Sequence, residues 1–174
     1  MIAYHDTEWG VPLHDDRKLF ELLVLEGAQA GLSWRTVLHK RERYRKVFHE
    51  FDPRRVAAMR LTSVDRLMQD AGLIRNRLKL TSVLINARAF LEVQHAFGSF
   101  DAFLWNLAGG KPLRNKPQTM REIQSTSVLG DLLSKELRMR GFRFVGPRVC
   151  HAFLQACGVI DDHLLTCHCK SRRA

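Results

Sequence analysis

No cysteine precedes Cys150 in this 174-residue chain, and all four (Cys150, Cys157, Cys167 and Cys169) lie in its last quarter. Cysteines so clustered cannot staple a whole domain with disulfides, which points to a reducing compartment and to thiols available for a metal. Long apolar runs are missing as well. No stretch approaches the ~20 apolar residues of a membrane-spanning helix. The opening MIAYHDTEWG places His, Asp and Glu where a signal peptide needs an apolar segment. The expectation is a cytoplasmic protein with no membrane partner. Acid is in deficit: 18 Asp and Glu face 28 Lys and Arg, a formal charge of +10. Such a surface suits a partner that presents many phosphates, without identifying it. Strand-like alternation is scarce and no solenoid-length repeat is present.

What remains is helix. Apolar residues recur at spacings of three and four, punctuated by capping residues and glycines, and the 45% hydrophobic content suffices for one core. Residues 1–174 therefore read as one all-α domain. A first helix follows Asp15 and Asp16 and ends near Gly27 to Gly31; a second is capped by Ser33, with KRERYRK as its charged outer face. Asp52-Pro53 is a cap with a first-turn proline, and Ser63 starts a helix that Gly72 should stop. Asn76 to Phe97 forms a long amphipathic helix closed by Gly98, and Ser99 caps a short one. GGKPLRNKPQT reads as an exposed basic loop. Ser127 caps a helix ending at Gly141, and Pro147 to Cys157 makes the last one before Gly158, after which the chain is too short and polar for another substantial helix.

Three segments carry chemistry. In LRMRGFRFVGPRVCHAFLQACG a helix ends, a glycine-bounded turn follows, and a new helix points its first amides back at that turn. Free N–H groups there, with Gly141 and Gly146 shaping the turn and Arg138, Arg140, Arg143 and Arg148 around it, can hold a phosphate. Alone, the segment also fits an ordinary antiparallel helix pair with a glycine cap. AGLIRNR, at 71 to 77, is a weaker version of the same pattern. The other two segments are YHDTEWGVP at 4 to 12 and LEGAQAGLSW at 25 to 34, which combine aromatics, glycines and a carboxylate. Glu26 ends the apolar run LLVLEG, where an acid is costly to bury unless something specific donates to it.

These stretches, with FDPRRVAAM, QDAGLIRNRLK, RGFRFVG and QACGVIDDH, closely resemble the DNA-3-methyladenine glycosylase I family of the helix-hairpin-helix superfamily, in order and over essentially the whole chain. The resemblance implies a helical base-flipping hydrolase, monomeric, that removes 3-methyladenine from double-stranded DNA containing alkylated bases. It assigns Glu26 to the adenine edge, Trp34 to stacking on the flipped base, and Tyr4 and Trp9 to the pocket wall. Leu32 becomes the wedge that fills the gap left by the extruded nucleotide. Such a site needs no strong general acid, because methylation at N3 makes the base cationic and weakens its bond to deoxyribose. A carboxylate in an aromatic box then favours that base over neutral adenine.

In the superfamily a catalytic aspartate follows the last helix, and here VIDDH puts Asp161 there, where asparagine is expected in many relatives; Asp162 stands beside it. Asp161 is thus a candidate to support the cationic sugar, although adjacent carboxylates in a loop also serve as caps. The resemblance further implies a structural zinc held by His5, His163 and Cys167. The chain begins roughly a dozen residues late against its relatives and omits the family's first cysteine ligand and one pocket aromatic. The fourth ligand is left open among water, His168, Cys169 and an upstream segment. Two other readings remain: a DNA-binding module that has lost catalysis with that segment, and a glycosylase for another lesion. No lysine immediately precedes the last helix of the hairpin, which argues against lyase chemistry.

Overall fold

Side-chain caps set most of the helix boundaries. In the computed structural model, which describes residues 1–171, Asp15 accepts a hydrogen bond from the Lys18 amide, Ser33 from Thr36, Asn76 from Lys79, Ser99 from Ala102 and Ser127 from Gly130. Each satisfies one of the amides a helix start leaves without a partner. The helices in chain order are α1 (Ile2–Thr7), α2 (Asp16–Gln29), α3 (Trp34–Val47), α4 (Pro53–Ala57), α5 (Ser63–Leu67), α6 (Arg77–Phe97), α7 (Phe100–Leu107), α8 (Val128–Met139), α9 (Pro147–Ala156) and α10 (His168–Ser171). The all-α expectation is met.

The core lies between α2, α6, α7 and α9. Phe90 and Phe100 stack at 4.3 Å, with Phe20, Phe142 and Phe153 packed around them. Asp16 adds a polar tie: it accepts from the amides of Phe100 and Asp101 and from Gln94. Helix α2 is buried along nearly its whole length, including two acids, Glu21 and Glu26.

Several boundaries depart from expectation. Helix α1 forms with no side-chain cap. The end of α2 is not one of them: it falls at Gln29, within the expected Gly27 to Gly31 stretch, and a Cβ at Gly27 would sit 3.4 Å from the Phe144 side chain, so the hairpin packs closely there. Helix α5 starts at Ser63 as expected but ends at Leu67, well before Gly72. The basic loop contributes β1 (Leu113–Arg114), which pairs in parallel with β2 (Ile160–Asp161).

One crossing positions the site. Gly158 adopts a left-handed φ of 73° against the N-terminal segment, where a Cβ would fall 2.3 Å from the Val11 carbonyl carbon. Cys157 accepts from the Leu13 amide and Gln155 from Gly10. Both ends of the described chain thereby meet beside α2.

Candidate functional site

Helix α1, the start of α3 and the segment after β2 enclose a cavity of about 330 Å³, lined by Tyr4, His5, Trp9, Trp34, Ile123, Asp162 and His163 among others. That is at the small end of the range for ligand sites. Tyr4 and Trp34 sit 5.4 Å apart, tilted by 52°. The Tyr4 hydroxyl and the Trp34 Nε1 are both buried with no hydrogen-bond partner among the described residues. Buried donors are normally satisfied, so two orphans in one wall indicate a site shaped for something that enters.

A neighbouring cavity of about 450 Å³ opens between the end of α2 and α9. It is lined by Glu26, Leu32, Ile123, Arg148 and His151 among others, so that Ile123 belongs to both cavities. Glu26 is 5% exposed. No donor among the described residues reaches it, and burial alone pushes its carboxyl up to about 8. Burial also raises the Tyr4 hydroxyl strongly, helped by the charge of Glu26, which places the acid within electrostatic reach of the aromatic pair.

Trp9 lines the first cavity, but its ring packs edge-on against His163 at 4.5 Å and stacks on His5 at 6.0 Å. Leu32 is 41% exposed at the tip after Gly31, whose φ is 78°. It projects beside the Glu26 cavity on a turn only glycine adopts readily.

The two adjacent carboxylates separate. Asp162 lines the cavity, its oxygens accepting from Asn115 Nδ2 at 2.6 Å and Gln155 Nε2 at 2.7 Å. Asp161, expected to face the sugar, does not line it. Its carboxylate accepts from the His163 backbone amide, pairs with His163 Nδ1 at 2.8 Å and with Lys170 Nζ at 3.0 Å. These donors hold it below the usual carboxylate range against the opposing effect of burial.

The glycine-bounded turn between α8 and α9 is anchored by Asn86, which donates to the Arg143 carbonyl and accepts from its amide at 2.8 Å. Gly141 has φ 86°, and a Cβ at Gly146, which caps α9, would meet nothing within 4 Å. Arg143 and Arg148 are exposed beside it. Arg140, expected at the phosphate, instead bonds Glu136 one turn earlier and lies over the rings of Phe97 and Phe103, at 5.4 and 5.0 Å, so its charge is spent on α8, α6 and α7.

His5, His163 and Cys167 also come together. Cys167 Sγ lies 3.7 Å from His5 Nε2, and the donor atoms of these three and Cys169 all fall within 4.8 Å of one another. Two imidazoles and two thiols match the donor preference of zinc, so the residues present fit the metal the sequence implies.

Sequence reading did not reach Ile123, Asn115, Gln155 or Asn86. Asn115 and Asn86 act through partners 47 and 57 positions away, Gln155 through Asp162 across the turn after α9, and Ile123 only by lining both cavities.

Comparison with known proteins bears on this geometry. A model of the methyladenine glycosylase family matches residues 1–170. The chain is 51% identical to DNA-3-methyladenine glycosylase 1 of Escherichia coli (strain K12), covering 97% of this chain and 90% of that one. It is 46% identical to DNA-3-methyladenine glycosylase of Haemophilus influenzae, covering 98% and 92%. A solved structure addressing 3-methyladenine recognition by 3-methyladenine DNA glycosylase I from Staphylococcus aureus superposes with a TM-score of 0.95 at 40% identity, covering 97% of this chain and 90% of that chain.

Proposed function

The chain belongs to the methyladenine glycosylase family, and from that premise we propose how its residues carry out base excision. It hydrolyses the N-glycosidic bond that joins 3-methyladenine to alkylated DNA. The observation that carries the assignment of the pocket is Glu26, an acid buried without a donor beside two aromatic side chains whose own donors are unsatisfied.

In the empty pocket burial keeps Glu26 neutral near pH 7. An extruded 3-methyladenine brings a positive charge and an exocyclic amine. Both favour the carboxylate, which then accepts from the amine while Trp34 stacks on the ring and Tyr4 closes the wall. Trp9 backs that wall. Neutral adenine supplies no such charge, so discrimination comes from the pocket, and unstacking costs only a few kcal/mol for a damaged base. As the C1′–N9 bond breaks, the base leaves neutral and the positive charge passes to the sugar. Asp162, pinned by two amide donors, is the carboxylate we place toward it, and water adds at C1′ with loss of its proton to bulk solvent.

Outside the pocket, Leu32 fills the gap in the stack, and the amides at the start of α9, with Gly141, Gly146, Arg143 and Arg148, hold the backbone of duplex DNA. A zinc ion held by His5, His163 and Cys167 would serve structure and not chemistry, joining α1 to the segment after β2. We place the protein in the cytoplasm as a monomer; no helix among the described residues is long and apolar enough to cross a membrane.

The test is chromatographic detection of free 3-methyladenine after incubating the chain with methylated duplex DNA. Release is expected, with no covalent adduct on borohydride treatment. DNA binding without release would instead support the non-catalytic module, and a trapped adduct would support lyase chemistry.

A further inference from the structure

We propose that Lys79 is the positioning residue of the wedge: its ammonium clamps the end of α2, so that Leu32 stands firm when driven into the base stack. The role rests on the assignment of Leu32 given above. Lysine is rarely buried without a carboxylate to pair with, yet Lys79 is 8% exposed and forms no ion pair among the described residues. Its Nζ donates instead to the Ala28 carbonyl at 2.9 Å and the Ala30 carbonyl at 2.6 Å, both about 50 positions earlier in the chain.

Carbonyls at the end of a helix have no partner within it and carry the negative end of its dipole. Ala30 is where α2 stops, with φ −43° and ψ 115°, and Gly31 then turns with φ 78° to present Leu32. Between the two clamped carbonyls, that of Gln29 accepts from the Leu32 amide at 2.6 Å. Three consecutive carbonyls behind the wedge are thereby bonded, two of them by one ammonium.

Nothing local favours this placement. Lys79 is the third residue of α6, where a cation faces the positive end of that helix's dipole, and burial pushes its pKa down. A residue that breaks two local rules is placed for what it does at a distance. Asn86, seven positions further along the same face of α6, holds the Arg143 backbone in the turn before α9. One helix thus sets both the wedge and the phosphate-binding turn and fixes the spacing between them. Lys79 lines neither cavity, so its loss should spare the base pocket.

The test is single-turnover release of 3-methyladenine from one methylated sequence, as duplex and as single strand, at equal concentrations of folded protein. A single strand leaves no gap to fill in a base stack, so Lys79→Met should slow release about tenfold from duplex only, with affinity for free 3-methyladenine unchanged. Leu32→Ala should show the same duplex-specific loss. The double variant should be no slower than Leu32→Ala, because a clamp has nothing to act on once the wedge is gone. Lys79→Gln, which keeps one neutral donor group, should fall between wild type and Lys79→Met, and the same ratio of duplex to single-strand rates applies to it if Lys79→Met does not fold. Equal losses on both substrates, additive losses in the double variant, or an unaltered duplex rate would each overturn the clamp. If Leu32→Ala itself shows no duplex-specific loss, the wedge assignment fails and the clamp with it; a loss in Leu32→Ala with none at position 79 overturns the clamp alone.

Discussion

Glu21 and Glu26 stand five positions apart on α2, and both are almost wholly buried, at 6% and 5% exposure. Their surroundings are opposite. Glu21 Oε1 accepts from Arg41 Nε at 2.6 Å and Arg45 Nε at 2.8 Å, and Arg41 also pairs with Glu8 at 2.7 Å. Glu26 has no donor and is left nearly protonated by its burial. One acid is satisfied within the protein and locks α2 to α3; the other is held ready for a cation that arrives from outside. Composition and burial do not distinguish them, and only the partners do. The cations follow the same division: Arg41 and Arg45 are turned inward, whereas Arg143 and Arg148 are exposed with no ion pair among the described residues.

The largest expected effect falls on the satisfied acid. Glu21→Gln removes the carboxylate that Arg41 and Arg45 share, leaving them only Glu8 and Glu42, and should cost about 3 kcal/mol of stability. That lowers the melting temperature by roughly 10 °C for a chain of this size. Affinity of the folded protein for 3-methyladenine should not change, and a loss of affinity without loss of stability would erase the contrast between the two acids.

Next comes pH. The unfolded chain ionises Glu26 near its ordinary 4.5, while the folded protein keeps the proton until about 8. Because the folded value is the higher, the stability contributed by the neutral form is complete below the ordinary carboxylate range and is lost as pH rises toward 8. The slope approaches about 1.4 kcal/mol per pH unit. Urea melts at pH 5 and pH 8 should show Glu26→Gln gaining on the wild type by several kcal/mol across that interval. A constant difference would mean that Glu26 is ionised in the empty pocket.

Smaller effects belong to the exposed cations. Arg143→Ala and Arg148→Ala should each weaken DNA binding across all sequences and reduce the slope of log affinity against log salt by about one. Arg140→Ala should leave the slope alone, since its charge is already paired on α8. The smallest effect separates the adjacent carboxylates: Asp161→Asn should leave single-turnover base release unchanged while Asp162→Asn slows it. The reverse order would return the sugar-facing role to Asp161.

Helices were legible wherever their signals are local. Asp15, Ser33, Asn76, Ser99 and Ser127 announce their helices because a cap and the first turn lie within three residues. Helix α1 has no such cap, and a two-residue strand pair has no period to detect, so neither was read. In the pocket, Tyr4, Glu26 and Trp34 stand out through their motifs, but the division of labour between Asp161 and Asp162 does not. Consecutive residues in an extended segment point to opposite sides, and which side is the cavity depends on β1, far away in the chain. The pairing of Arg140 is legible in the sequence, since Glu136 sits four positions before it on the same helix, the spacing of a side-chain ion pair.

The claim on which the rest depends is that an acid without a partner selects a cationic base. Its most direct measurement is the single-turnover release of 3-methyladenine from methylated duplex DNA by wild type and Glu26→Gln at equal concentrations of folded protein. Loss of one charged hydrogen bond should slow the variant about 10- to 100-fold. An equal rate in the two proteins would contradict the account.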